Sequence, residues 1–234
     1  MNDYAIINGL KIYSFKSSDD LIDLIGYEKK ILIAINAEKI MNSDVEQKSM
    51  INENLGYCDG IGAVIALKKM GLISVQIPGF HLWLEIISKY YNQKSFYFVG
   101  GRQEVIDLTI KKIYKMYPTI NIKNFRNGYF DKNEDEESLI LDVAQKKPDI
   151  VFVAMGSPKQ ELLMTKLFNA HPAVYQGLGG SFDVFINKVK SPDGIWMKLG
   201  LMWLIRIFRQ PRLRLKRLPT LIKFLFLIPR LKKL

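Results

Sequence analysis

The chain has 234 residues, of which 48% are hydrophobic, and its 34 lysines and arginines exceed its 23 aspartates and glutamates to give a formal charge of +11. This length fits one domain with a full-sized core, or one domain with an appendage. With one cysteine and two histidines, the chain cannot form an internal disulfide, and we expect neither a metal site nor a cofactor. The amino terminus lacks a signal region and no apolar run approaches the roughly 20 residues that span a bilayer, so we expect a cytoplasmic protein.

Strand-like and helix-like patterns alternate from the amino terminus. The Asn8-Gly9 pair predicts a hairpin turn, and Ser43 followed by Glu46 predicts a capping box before a helix over 44–55. Apolar runs typical of buried parallel strands cover residues 31–35, 57–58, 95–99, 120–122, 150–154 and 173–175. Repeated alternation of strand and helix predicts an α/β fold with a doubly wound sheet and helices on both faces.

Glycine, polar and charged residues follow these predicted strands. In doubly wound sheets, ligands bind beyond the carboxyl ends of the strands, so we place the active site there. The candidate substrate-binding residues at this edge are Asn36, Glu38, Gly100, Gly101, Arg102, Gly156, Pro158, Lys159, Gln160, Glu161, Gly179, Gly180 and Asp183.

The glycine pairs 100–101 and 179–180 let a phosphate approach the backbone closely, although each pair also fits a plain tight turn. In the run after the 150–154 strand, Pro158 suits the first position of a helix. Lys159 would then meet phosphate, and Gln160 or Glu161 would bind sugar hydroxyls. The alternative is a helix start at which Glu161 stabilises the helix dipole.

Asp59 is the best candidate for a general base, because it follows a strand and has no basic neighbour in sequence. The alternative is that Asp59 caps a helix over 61–70. Asp183 is a second carboxylate at the same edge, as suited to a structural role as to a catalytic one. His81 is more often a structural group at such a position, and we hold it in reserve.

The carboxyl-terminal segment 196–234 contains eleven lysines and arginines and no acidic residue, so residues 1–195 carry 34 − 11 = 23 basic and 23 acidic groups. We therefore expect an α/β domain over 1–195 and a basic, amphipathic helical appendage over 196–234. Apolar residues interleave with the cations, which favours an anionic membrane surface. Nucleic acid is the rejected alternative, because the apolar run 224–228 would stay in water on a duplex.

Several of these motifs together resemble the WecG/TagA/CpsF bacterial glycosyltransferase family, glycosyltransferase family 26, over nearly the whole chain. The segments that carry the resemblance are 34–39, 58–60, 99–101, 127–130, 153–161, 179–185 and 199–211. The Ala-Ile-Asn-Ala-Glu-Lys and Met-Gly-Ser-Pro-Lys-Gln-Glu runs, with Ile195-Trp196, are similar to the branch that uses UDP-N-acetyl-D-mannosaminuronic acid.

The resemblance implies a Rossmann-like fold and a metal-independent, inverting transfer from a UDP-sugar to undecaprenyl-diphosphate-linked GlcNAc. The product would enter a cell-surface polysaccharide such as enterobacterial common antigen. By the same resemblance, Asp59 is the base, and Arg206, Arg209 and Arg212 bind the UDP diphosphate when the appendage docks. The enzyme would be peripheral on the inner face of the cytoplasmic membrane.

Three positions depart from the family pattern: His81 stands where the family usually has Asp, Ser191-Pro192-Asp193 where it has Arg-Ala-Pro, and Met202 where it has Glu. The absent arginine leaves UDP-ManNAc or another UDP-hexosamine open as the donor. A non-catalytic, membrane-bound partner of an envelope assembly complex is a second alternative, and self-association also stays open.

Overall fold

A computed structural model describes residues 3–130, 133–187 and 218–233. Along these ranges the elements are β1 (Tyr4–Ile7), β2 (Leu10–Tyr13), α1 (Ser18–Tyr27), β3 (Ile31–Ile35), α2 (Ala37–Asn42), α3 (Val45–Glu53), β4 (Leu55–Cys58), α4 (Ile61–Lys69), α5 (Gly79–Tyr90), β5 (Ser95–Gly100), α6 (Gln103–Met116), β6 (Asn121–Arg126), α7 (Asn133–Lys146), β7 (Ile150–Ala154), α8 (Lys159–Ala170), β8 (Val174–Gly177), α9 (Ser181–Phe185) and α10 (Leu218–Leu227). A 3₁₀ turn over Ile228–Arg230 follows α10.

The main sheet has six parallel strands in the order β4-β3-β8-β7-β5-β6, and helices flank it. Its interior register pairs Phe152 of β7 with Phe98 of β5 and with Gln176 of β8. Because parallel neighbours cannot be joined by a tight turn, the strands of this sheet that follow one another in the chain are connected through helices. The predicted α/β class, a Rossmann-like doubly wound sheet, is confirmed.

The chain divides into two compact units. Unit 1 comprises the described residues within Met1–Leu21, Ala34–Pro78 and Ser191–Leu234, and unit 2 those within Ile22–Ile33 and Gly79–Lys190. Strand β3 is divided between the two units after residue 33. The described part of the predicted appendage, 218–233, belongs to unit 1, whereas the boundary predicted at residue 195 lies outside the described residues.

The first hairpin of unit 1 confirms the turn predicted from Asn8 and Gly9. Strands β1 and β2 pair antiparallel, and the two turn residues have φ angles of 51° and 80°. Two successive residues with positive φ are the signature of a type I′ turn, which matches the twist of the strands that it joins.

The capping box predicted at Ser43 is wrong, because Ser43 ends α2 instead of starting α3. Its hydroxyl donates to the Lys39 carbonyl at 2.7 Å. The next residue, Asp44, caps α3, and its Oδ1 accepts from the Gln47 N–H at 2.8 Å. Two short helices meet here, and the carboxylate one residue later is the side chain that reaches the free N–H groups of the second helix.

Helix α10 docks in unit 1 through one aromatic side chain. Phe224 is 3% exposed, whereas Ile222, Leu225 and Phe226 are 53%, 64% and 68% exposed. A Cβ on Gly62 of α4 would lie 3.0 Å from the Phe224 ring, so this glycine leaves the space that the ring occupies. The helix therefore buries one apolar side and presents another to solvent.

The core of unit 2 is rich in aromatic rings. Trp83 of α5 packs edge-on against Phe152, Phe182 and Phe185, with ring centroids 5.1–5.8 Å apart. Each such buried ring contributes about 1.5–3 kcal/mol of burial free energy, and edge-to-face pairs add more. This packing fixes α5 and α9 beside β7, whose carboxyl end leads into one of the predicted site loops.

Candidate active site

In unit 1, the carboxyl ends of β3 and β4 meet tightly. The N–H groups of Asp59 and Gly60 both donate to the Ile35 carbonyl, at 3.0 and 3.2 Å. A Cβ on Gly60 would lie 3.0 Å from the Cβ of Asn36, so only glycine fits there without displacing its neighbour. The structure thus brings together the residues predicted from two separate strands, Asn36 and Asp59.

Asn36 has a visible structural task in this cluster. It caps α2, and its Oδ1 accepts from the Lys39 N–H at 3.0 Å. Glu38 lies in the first turn of the same helix and is half-buried. This capping bond uses the side-chain oxygen of Asn36, so the side-chain N–H₂ group is the part that a substrate could contact.

Asp59 does not cap α4, so the alternative that assigned it this capping role is wrong. Gly60 occupies the N-cap position of α4, which begins at Ile61, and no side chain caps this helix. The Asp59 carbonyl accepts from the Gln76 side-chain amide at 2.8 Å, and the Ile77 N–H donates to the Cys58 carbonyl at 2.7 Å. The backbone around the half-buried Asp59 carboxylate is therefore held from two sides.

Gln76 is a site neighbour that sequence reasoning missed. It lies 17 residues after Asp59, in a segment without regular structure between α4 and α5. No motif or periodicity marks it, because its contact depends on the path of a loop and not on a strand end.

The pKa of the Cys58 thiol depends on its burial and on its neighbours at this strand end, Ser74 and Asp59. Burial raises the pKa of Cys58 to about 11, the Ser74 hydrogen bond lowers it, and the negative charge of Asp59 raises it further. Cys58 is 1% exposed and stays protonated at neutral pH. It therefore acts as a small packed side chain under Asp59 and not as a nucleophile.

In unit 2, the glycine pair after β5 is required by its backbone. Gly100 has a φ angle of +135°, and a Cβ there would lie 2.3 Å from the Ala154 carbonyl oxygen. Gly101 has a φ angle of +66°, and its N–H donates to that same carbonyl at 3.1 Å. The Gly128 N–H donates to the Gly101 carbonyl at 2.9 Å, so the loop after β6 rests on this pair.

The loops after β7 and β8 are tied together by Gln160. Its Oε1 accepts from the N–H groups of Gly156 and Gly179, at 3.2 and 2.9 Å. Gln160 is 7% exposed and Glu161 is 4% exposed, whereas Lys159 is exposed at the start of α8. Pro158 occupies the N-cap position of α8, one residue earlier than predicted.

Open space lies beside these loops. No described atom comes within 4 Å of a Cβ built on Gly156, Gly179 or Gly180. Arg102 stands exposed at the N-cap position of α6, and Asp183 is half-buried in the short helix α9. The loops therefore offer open glycine backbone with cationic side chains at two nearby helix starts.

His81 is the third residue of α5 in unit 2. It is half-buried, and its ring lies edge-on to Phe80 with 4.9 Å between the centroids. The structure gives His81 a packing contact, and its functional role stays untested.

A polar cavity of about 370 Å³ lies at the amino-terminal ends of the unit 2 strands. It is lined by Lys94, Lys123, Lys147 and Asp149, among others, and by none of the predicted site residues. The Asp149 carboxylate accepts from the N–H and hydroxyl of Ser95, at 2.7 and 2.6 Å. This cavity is therefore separate from the candidate site of unit 2, which follows the opposite ends of the same strands.

Arg206, Arg209 and Arg212 lie outside the described residues, as do Ser191-Pro192-Asp193 and Met202. Among the helices within 3–130, 133–187 and 218–233, none combines the length and hydropathy that a bilayer-spanning helix needs.

A parallel, doubly wound sheet whose strands lead into glycine loops at their carboxyl ends is the architecture of nucleotide-binding enzymes. The sequence model described as the glycosyl transferase WecG/TagA/CpsF family matches residues 7–233. The chain belongs to this family and is a glycosyltransferase, as the motif resemblance implied. The roles of individual site residues stay predictions.

Proposed function

We propose that this enzyme transfers an N-acetylmannosaminuronic acid residue from its UDP donor to undecaprenyl-diphosphate-linked GlcNAc, with inversion at the anomeric carbon. The product would serve a cell-surface polysaccharide of the enterobacterial common antigen type. The observation that carries this proposal is the family match over residues 7–233, together with the Ala34–Lys39 and Met155–Glu161 runs that favour this branch.

In this proposal, Asp59 removes the proton from the GlcNAc 4-hydroxyl as that oxygen attacks the donor sugar. Asp59 follows β4 and is half-buried, and its carboxylate is not used to cap α4. A base needs a fixed carboxylate within hydrogen-bond reach of the reacting hydroxyl. The contacts of Ile35 and Gln76 with the Asp59 backbone provide that fixed position.

The proposal assigns the leaving UDP to the glycine loops of unit 2 and to cationic side chains. Two loop amides, those of Gly156 and Gly179, already donate to Gln160, so they do not serve a phosphate. The proposal therefore assigns the phosphate oxygens to other groups at these loops, among them the exposed side chains of Arg102 and Lys159, and to the appendage arginines Arg206, Arg209 and Arg212. Guanidinium groups suit this task because their planar donors match phosphate oxygens.

The appendage would place the enzyme on the anionic inner leaflet, where the lipid acceptor resides. Helix α10 supports this partner with an exposed apolar side, and the exposed cations Lys223, Arg230, Lys232 and Lys233 lie on or just after it. Apolar insertion and attraction to anionic lipids add together in such segments, with each cation near the surface contributing about 1 kcal/mol.

A donor panel tests the proposal. The full-length enzyme is mixed with a lipid-linked GlcNAc analogue and, in turn, UDP-N-acetylmannosaminuronic acid, UDP-ManNAc and UDP-GlcNAc. UDP release, product mass and the anomeric coupling constant in the product are measured. We expect the uronic-acid donor to give the highest kcat/KM and an inverted product.

Preference for UDP-ManNAc would overturn the donor assignment while keeping the transferase, and retention at the anomeric carbon would contradict the single displacement. UDP release no faster than from a sample lacking the acceptor, with every donor, would favour a non-catalytic partner.

A further inference from the structure

Gln160 stands in an unusual place for a glutamine, because it is buried in the first turn of a helix that starts at the surface. Its Oε1 accepts from Gly156 N at 3.2 Å and from Gly179 N at 2.9 Å. A carbonyl oxygen has two lone pairs, so these two bonds use its acceptor capacity. A sugar hydroxyl therefore finds no free acceptor on this side chain.

The other end of the Gln160 amide is also enclosed. Its Nε2 donates to Glu161 Oε1 at 3.4 Å. A Cβ on Gly177, at the end of β8, would lie 2.5 Å from Nε2 and 2.9 Å from Cδ. The absence of a side chain at residue 177 is thus what makes room for the Gln160 amide.

We propose that Gln160 is a positioning residue for the transfer reaction: it fixes the loop after β7 to the loop after β8 and does not contact the sugar. This role rests on the proposed function, in which these loops receive the UDP diphosphate. Gly156 and Gly179 have φ angles of +79° and +57°, so both loops are built on flexible glycine backbone. When such loops are already ordered in the free protein, ligand binding does not have to lose the conformational entropy of ordering them.

Two substitutions test this role from different sides. Gln160→Met keeps the length and the helix propensity of the side chain and removes both acceptor contacts. Gly177→Ala leaves Gln160 in the chain and displaces its amide. Leu162→Gln, at a position of α8 that is 52% exposed, is the matched control.

Two quantities are measured for each protein in its full-length form. The first is the hydrogen-exchange rate of the Gly156 and Gly179 amides without ligand, by NMR. The second is the affinity for UDP, which carries no sugar. We expect both test variants to accelerate exchange at these two amides and to weaken UDP binding about tenfold or more, since each lost hydrogen bond is worth up to roughly tenfold. The control should change neither quantity.

Direct sugar binding would give a different pattern: Gln160→Met would leave UDP affinity and the two exchange rates unchanged and weaken only the intact UDP-sugar. That result would overturn the positioning role. So would accelerated exchange spread evenly over β7 and β8, which marks a merely structural residue. If the unaltered protein bound neither UDP nor a UDP-sugar, the proposed function and this role would fall together, while the two exchange rates would still report whether Gln160 ties the loops.

Discussion

The glycines that follow the strands of unit 1 and those that follow the strands of unit 2 have different roles. In unit 1, a Cβ on Gly60 would lie 3.0 Å from the Asn36 Cβ, and the proposed base Asp59 is the residue before this glycine. In unit 2, Gly156 and Gly179 have positive φ angles and open space beside them. The first arrangement presents a fixed functional group, and the second presents a backbone surface.

The two arrangements need glycine for different physical reasons. A glycine in the first arrangement removes a clash between two strand ends, whereas a glycine in the second permits a backbone conformation that other residues rarely adopt. Side-chain chemistry is expected to depend on unit 1 and recognition of a charged, extended ligand on unit 2. Each of the following experiments can break that division or sharpen it.

The largest expected effect is on turnover. Asp59→Asn should lower kcat by about 100- to 10,000-fold, because a general base contributes that much. Asp183→Asn, the matched carboxylate of unit 2, should lower kcat far less. Both are measured with the lipid-linked GlcNAc analogue, and the melting temperatures check the fold. Near-normal turnover of Asp59→Asn would remove the catalytic role from unit 1.

The next largest expected effect is on membrane binding, which we assign to helix α10 of unit 1. Leu225→Asp combined with Phe226→Asp should weaken binding to anionic liposomes by more than about tenfold, since two apolar side chains no longer insert. Leu141→Asp is the control, because Leu141 of unit 2 is 61% exposed, close to the 64% of Leu225. Equal losses in the two proteins, by liposome sedimentation, would contradict a membrane face on α10.

The stability effects of the glycines should also differ. Gly100→Ala should destabilise the protein by about 2–4 kcal/mol, because it forces a strained φ angle and a clash with the Ala154 carbonyl. Gly60→Ala should cost only about 1 kcal/mol, since its φ angle of −108° suits any residue. Urea denaturation measures both, and a reversed order would show that contact with Asn36 is the tighter constraint.

The smallest effect is a pH dependence in unit 1. The folded pKa of Cys58, about 11, exceeds its ordinary value of 9.0. The buried, protonated thiol therefore keeps its full contribution to the free energy of unfolding below pH 9, and this contribution is lost as the pH rises toward 11. The stability difference between the unaltered protein and Cys58→Ser should therefore shrink by about 1 kcal/mol at pH 10. Because the Asp59 charge raises the folded pKa, Asp59→Asn should lower the pH at which this loss of stability ends, and an unchanged end point would contradict their electrostatic contact.

Patterns confined to a few neighbouring residues predicted the fold well. The runs at 31–35 and 150–154 coincide with β3 and β7 as observed. Strand β6 runs over Asn121–Arg126 instead of 120–122, because pairing with β5 extends it through polar residues that have no apolar pattern. Pairing partners are distant in sequence, so local propensity does not reveal such extensions.

The site residues show the same limit. Their location at strand ends follows from the alternation of strands and helices, and the structure places Asn36 beside Gly60 as that rule requires. Which polar atoms are already engaged does not follow from it. Gln160 looks like a ligand residue in sequence, but its acceptor is taken by Gly156 and Gly179, and the latter is 19 residues away.

The division of β3 between the units affects the order in which their contacts can form during synthesis. The segments of unit 2 end at residue 190, whereas unit 1 also takes residues from Ser191–Leu234. Phe224, which occupies the space above Gly62, is therefore synthesised long after the glycine that it contacts. Until Phe224 has left the ribosome, nascent unit 1 cannot form this apolar contact.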